Sequence, residues 1–221
     1  MNPPTHHLPE SLMMDYVVGA LDEALSLLVA THLSLCPQCR AQVRALEEMG
    51  GALLDDITGE EPDPEVGWQA LLERLDEPVP GPPLPPAPTD PFLRRFPEPL
   101  RSYLPRDRRG RLEWSLKLPG VGQVRLPVEH RGYGVVVNML SGGLAVPRHT
   151  HEGQEYNLVL AGGFTDGGLD YVRGDLAVAG PDVVHRLSIH RGEPCILLSV
   201  MENPLVPMSP AAKILSRLLP A

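Results

Sequence analysis

His149-x-His151-x3-Glu155 sets two imidazoles and a carboxylate at metal-ligand spacing near the middle of this 221-residue chain. Such donors bind zinc, iron, manganese or nickel, and spacing alone does not choose among them. On a strand, the two-residue side-chain period sends His149 and His151 to one face while Arg148 and Thr150 point away. Glu155 follows a Glu152-Gly153-Gln154 turn and opens the β-rich run Tyr156–Leu160, which returns its carboxylate to the same interior. His185 lies beyond Gly180-Pro181-Asp182, the punctuation expected between two strands of a small barrel, and completes a set of three imidazoles and one carboxylate. Read instead as the wet face of an ordinary sheet, the segment would need four donors and their flanking glycines to coincide.

A second donor set, His32-x3-Cys36-x2-Cys39, sits in helical surroundings. A helix from about Asp22 to Leu35 carries Leu25, Leu28, Val29 and His32 on one stripe, and a turn then brings two thiols within reach of the imidazole. Pro37 opens the next helix, with Arg40, Val43, Leu46 and Leu53 in its first turn and along its face, and the positive end of that helix is expected to lower the thiol pKa. Three ligands leave one position for His6 or His7, just ahead of a helical pattern through Leu12, Met13, Tyr16, Val17 and Ala20. The result is a closed tetrahedral zinc site. A redox Cys-x-x-Cys pair belongs after a strand in an α/β pattern, which is absent here. Plain buried cysteines would leave the neighbouring histidines unexplained.

From Gly143 to Gly162 the chain resembles the first cupin motif without a mismatch: Gly, five residues, His-x-His, three residues, Glu, six residues, Gly. In the second motif Gly174 and His185 are in place, whereas Gly180, Asp182 and Ile189 stand where that motif carries proline, glycine and asparagine. These departures leave the ligand set intact and alter the shape of the pocket. His-x3-Cys-x2-Cys closing one helix and opening the next resembles the zinc-binding anti-sigma domain. Joined to a cupin, it is similar to the ChrR-like anti-sigma factors over nearly the whole chain, as in Leu27-Leu-Val-Ala-Thr-His-Leu-Ser-Leu-Cys-Pro-Gln-Cys-Arg40. The resemblance implies that His7 joins His32, Cys36 and Cys39 on an N-terminal zinc ion, with His6 as a neighbour. It also implies zinc or another divalent transition metal in the cupin, on His149, His151, Glu155 and His185. The function implied is a zinc-dependent anti-sigma factor, not an enzyme, with no catalytic residues. It sequesters an extracytoplasmic-function (ECF) sigma factor and releases it under singlet-oxygen or peroxide stress, with the cupin as sensory or gating module.

Composition divides the chain in the same places. Eight prolines fall between Pro78 and Pro91, a linker that as polyproline II at about 3.1 Å per residue spans roughly 40 Å and lets its two ends move independently. The expected fold is therefore α+β: a zinc-stapled bundle of three or four helices over residues 1–77, a Pro-rich linker over 78–91, and a cupin β-barrel over 92–221 with an N-terminal arm and a C-terminal tail. Val66, Trp68, Ala70, Leu71, Leu72 and Leu75 mark the fourth helix, with Gly67 near its start. No apolar run approaches the roughly 18 residues of a membrane span and no signal peptide is recognisable, so a soluble cytoplasmic chain is expected. Three cysteines fit a reducing compartment, and Cys195 reads as a strand residue in the barrel wall.

Charge is unequally shared: residues 1–77 carry a formal net of −12 and residues 78–221 one of +3. The first unit repels nucleic acid and suits a protein that itself binds DNA or polymerase. Arg94, Arg95, Arg101, Arg106, Arg108, Arg109 and Arg111 are interleaved with prolines and acidic residues, and fit an arm touching the acidic unit better than a nucleic-acid patch. A metal-dependent cupin enzyme of dioxygenase or isomerase type is a second reading. Its pocket would have little acid–base equipment beyond Asn138, Tyr156 and Asn157. A cupin serving only dimerisation or ligand binding without metal is a third. His130 and His190 read as surface residues, and Trp68 and Trp114 as core or linker packing.

Overall fold

The computed structural model describes residues 3–55, 64–77, 92–128, 132–203 and 206–208. The expected linker and His130 lie outside these. Helix α1 (Glu10–Val17) is followed by α2 (Glu23–Leu35), whose N-cap Asp22 accepts the Leu25 N–H at 3.0 Å. Cys36 closes α2, its N–H reaching the His32 carbonyl at 2.8 Å, and α3 (Pro37–Asp55) starts immediately on Pro37, where a missing N–H costs nothing. The Arg40 guanidinium donates back to the Leu33 carbonyl, which satisfies one of the free acceptors at the end of α2. Helix α4 (Pro64–Arg74) runs through Gly67. Trp68 on α4, expected as core or linker packing, is 55% exposed and so is not a core residue, and Leu71, Leu72 and Leu75 stand in solvent with it. Leu53, expected on the packed face of α3, is exposed as well.

Eleven strands are described: β1 (Ser115–Leu118), β2 (Val121–Arg125), β3 (Gly134–Leu140), β4 (His149–Thr150), β5 (Glu155–Ala161), β6 (Gly163–Asp166), β7 (Leu169–Val172), β8 (Leu176–Ala179), β9 (Ser188–Ile189), β10 (Cys195–Met201) and β11 (Val206–Pro207). An antiparallel sheet in the order β1-β2-β3-β10-β5-β8 faces a smaller one, β7-β6-β9, and β4 pairs with β11. Together they make the cupin-type barrel expected from the motif. At the β5–β6 junction Gly162 has φ +66°, and a Cβ there would lie 2.6 Å from the Pro194 carbonyl oxygen, so only glycine lets the strands turn this close to β10. Leu140, Val159, Phe164, Leu187, Ile189, Cys195 and Leu197 fill the interior.

The opposite face of the large sheet is also buried. Leu158 and Leu160 of β5, and Ile196, Leu198 and Val200 of β10, share one core with Leu12, Leu25, Leu28 and Val29 of the helices. Between these layers runs the arm: a 3₁₀ turn (Leu93–Arg95) and α5 (Glu98–Arg101), with Leu93, Phe96, Leu100 and Leu104 buried and the Tyr103 hydroxyl 2.8 Å from Glu23 Oε1. The expectation of two halves held apart and moving independently is thus corrected. Apolar side chains alternate to both faces of β5 and β10, and the outer set must be covered to leave water. The arm touches the helical unit as expected, with buried leucines and aromatics in the shared core and the Tyr103–Glu23 hydrogen bond.

Candidate metal centres

His32, near the end of α2, is fully buried and turns Nε2 toward Cys39 Sγ at 3.3 Å. Cys36 and Cys39 come from the α2–α3 junction, and His7, from the segment ahead of α1, brings Nδ1 to 3.3 Å from Cys36 Sγ and 3.6 Å from Cys39 Sγ. With bonds of 2.0–2.3 Å to nitrogen and sulfur, the edges of a zinc tetrahedron are about 3.6 Å, so these separations fit an ion at the centre. His6 turns the other way, onto Tyr171 of β7 at 4.2 Å between ring centroids.

Burial holds His32 in the neutral, ligand-competent form, with a pKa lowered to about 4 by desolvation and by the neighbouring His7. The expected lowering of the thiols is not what the structure gives Cys39. Burial pushes that thiol up to about 11, Cys36 adds to the rise, and a hydrogen bond from the Leu8 N–H offsets it only in part. Desolvation outweighs the helix end here, and thiolate at this position calls for a bound cation. For the metal-free protein these shifts fix two pH windows. The folded state resists protonation of His32, so stability present above pH 6.5 is lost as pH falls toward 4, by about 3 kcal/mol. The folded state also resists ionisation of Cys39, so stability declines again as pH rises from 9 toward 11. Urea denaturation of chelator-treated protein across this range should show both flanks, and a flat profile between pH 7 and 4.5 would contradict the burial of a neutral His32.

The second donor set converges inside the barrel. His149 on β4 is bridged to His185 by paired backbone hydrogen bonds of 3.1 Å, His151 follows β4, and Glu155 opens β5. His151 Nε2 lies 2.9 Å from His185 Nε2, and Glu155 Oε2 lies 3.2 Å and 3.6 Å from the two. All four side chains are buried, and Glu155 Oε2 has no hydrogen-bond partner among the described residues. Lone pairs brought this close without donors between them are suited to a cation. Outer contacts orient the rings: His149 Nδ1 donates to the Pro147 carbonyl at 2.8 Å and His185 Nδ1 to Asp166 Oδ2 at 2.7 Å, which leaves each Nε2 for an ion. Burial lowers the His149 pKa, which also favours the ligating form.

Sequence reasoning missed Asp166. The β6–β9 register, which pairs Phe164 with Ile189, is what carries the end of β6 to His185. The same pairing explains Ile189 in place of the motif's asparagine, since it is buried in the inner core. A cavity of about 260 Å³ opens beside Glu155 and His185, walled by Phe164, Tyr171, Leu187 and Asn157. Asn157, Ser199, Asn138 and Gln123 bond to one another in that order across the sheet, which satisfies two of the weak polar candidates, Asn138 and Asn157, within the fold. Cys195 is fully buried in β10 as expected, its thiol pushed up to about 12 by desolvation. His190 pairs with Asp170 at 3.2 Å at the edge of β9.

No family model matches the chain. It is 37% identical over 202 residues to the anti-sigma-E factor ChrR of Cereibacter sphaeroides, covering 90% of this chain and 91% of that protein. It is also similar to the crystal structure of Rhodobacter sphaeroides SigE in complex with the anti-sigma ChrR: TM-score 0.74 and 34% identity over 90% of this chain and 99% of that one.

Proposed function

The chain belongs to the ChrR family of anti-sigma factors, and on that premise we propose that it sequesters an ECF sigma factor of RNA polymerase through its N-terminal helices. It is a regulator rather than an enzyme. Zinc on His7, His32, Cys36 and Cys39 locks α2 against α3 and the segment before α1, giving the helices one binding shape. The observation that carries this reading is the apolar surface those helices leave in solvent: Met49, Leu53 and Leu54 on α3, and Trp68, Leu71 and Leu75 on and after α4. Large exposed side chains grouped on helices mark a protein-binding face, and the −12 charge of residues 1–77 suits the basic, DNA-binding faces of a sigma factor.

The cupin centre, with zinc or another divalent transition metal on His149, His151, Glu155 and His185, serves as the sensory module that releases the sigma factor under singlet-oxygen or peroxide stress in the cytoplasm. Neither DNA binding nor membrane attachment is part of this role. Residues 1 to about 85 suffice for inhibition, and the cupin is needed for release. Co-expression of that fragment with its sigma factor is expected to silence the target promoter, though at lower fragment abundance than the full chain, because Leu28 and Val29 lose the cover of the arm and barrel. Unreduced transcription with the fragment present at the level of the full chain would refute the assignment.

A further inference from the structure

We infer that Asp175, in the turn between β7 and β8 of the cupin, is a positioning residue for the N-terminal metal centre, fixing residues 5 and 6 so that His7 reaches the two thiols. This rests on reading His7, His32, Cys36 and Cys39 as a metal site. Three of those ligands come from the rigid junction of α2 and α3, while His7 stands in an irregular segment that something else must place.

Asp175 is fully buried, and its Oδ2 accepts the Val172 N–H of its own turn at 2.8 Å. Its Oδ1 accepts two N–H groups from the other end of the chain, Thr5 at 2.6 Å and His6 at 2.9 Å. The His6 carbonyl in turn takes the Leu176 N–H at 3.1 Å, so the segment is tied through both its donors and its acceptor. Neighbouring Gly174 has φ +95°, and a Cβ there would lie 2.5 Å from Pro4 Cγ, so the turn is shaped to seat this segment. The His6 ring rests on Tyr171, which is stacked at 4.9 Å on Phe164, and both aromatics wall the cavity beside the cupin centre. A buried carboxylate needs its donors as much as the donors need it, so the barrel and the segment hold each other. His7 is the next residue.

Cobalt(II) distinguishes the two centres in the full chain, because thiolate-to-cobalt charge transfer arises only where cysteines are ligands. On challenge with excess EDTA, Asp175→Ala is expected to lose that absorption about tenfold faster than the wild type. Asp175→Asn, which keeps one acceptor oxygen, should be intermediate. Thr5→Pro removes one donor without altering the cupin and should also accelerate loss, with the near-ultraviolet circular dichroism of the barrel unchanged; it decides the matter if Asp175→Ala fails to fold. Wild-type release kinetics in Thr5→Pro, and in Asp175→Ala if that variant folds, would overturn the inference. Absence of a thiolate–cobalt band in the wild type would overturn the metal site as well. Failure of the wild type to bind a sigma factor, with the variants behaving as expected, would sink the anti-sigma reading alone.

Discussion

Cys39→Ala is expected to strip the N-terminal centre of its ion and to weaken binding of the sigma factor at least 100-fold. Cys39 has no solvent exposure, lies within 3.6 Å of both His7 and His32, and in the absence of a cation is held as a neutral thiol near pKa 11. Binding of structural zinc supplies on the order of 10 kcal/mol of folding free energy in small domains, more than the helices recover from their own modest core. Metal analysis should show one equivalent retained, in the cupin, and reporter transcription should rise to the level of cells lacking the inhibitor. Cys195→Ala is the control, since its buried thiol touches neither centre: it should keep both ions and full inhibition at a cost of about 1 kcal/mol in stability. Undiminished sigma binding by metal-free Cys39→Ala would show that the helices hold their shape without zinc.

Much of this arrangement is legible in the residues because three donors of each set are local, while His7 and His185 come from distant segments. His32, Cys36 and Cys39 need only one helix end and one turn, and Asp22 and Pro37 mark those boundaries within a residue. His149, His151 and Glu155 need only a strand, a turn and a strand. What escapes sequence reasoning is what depends on register or on long-range packing. Asp166 reaches His185 only through β6–β9 pairing, and Asp175 meets Thr5 across 170 residues. The thiol pKa failed for a related reason: a helix end acts locally, whereas burial is decided by everything packed around Cys39.

Docking of the helices on the barrel did leave a trace. Tyr156–Ala161 and Cys195–Met201 are apolar almost without interruption, and a strand with water on one face alternates instead. Such runs require a cover on the far side of the sheet, and α2 with the arm provides it. The proline-rich stretch pulled the reading the other way, because a spacer is informative about reach and says nothing about whether its two ends also touch. The consequence for the proposed function is that the barrel, proposed as the sensory module, contacts the helical unit directly, through the arm and through residues 4–6.

The double substitution His149→Ala, His151→Ala is therefore expected to separate release from inhibition. It removes two of four donors to the cupin ion and leaves Glu155 buried beside a lone imidazole, so metal at this centre should be lost. The N-terminal ligands and the exposed faces of α3 and α4 are untouched, so affinity for the sigma factor should stay within about threefold of wild type. Under singlet oxygen generated by a photosensitiser, however, induction of the target promoter should fall at least tenfold, the inhibitor now remaining on its partner. Glu155→Gln should give a milder form of the same defect, since the amide oxygen is a weaker, uncharged donor. Full induction by the double variant, with metal analysis showing the cupin centre empty, would assign stress sensing to some other part of the chain.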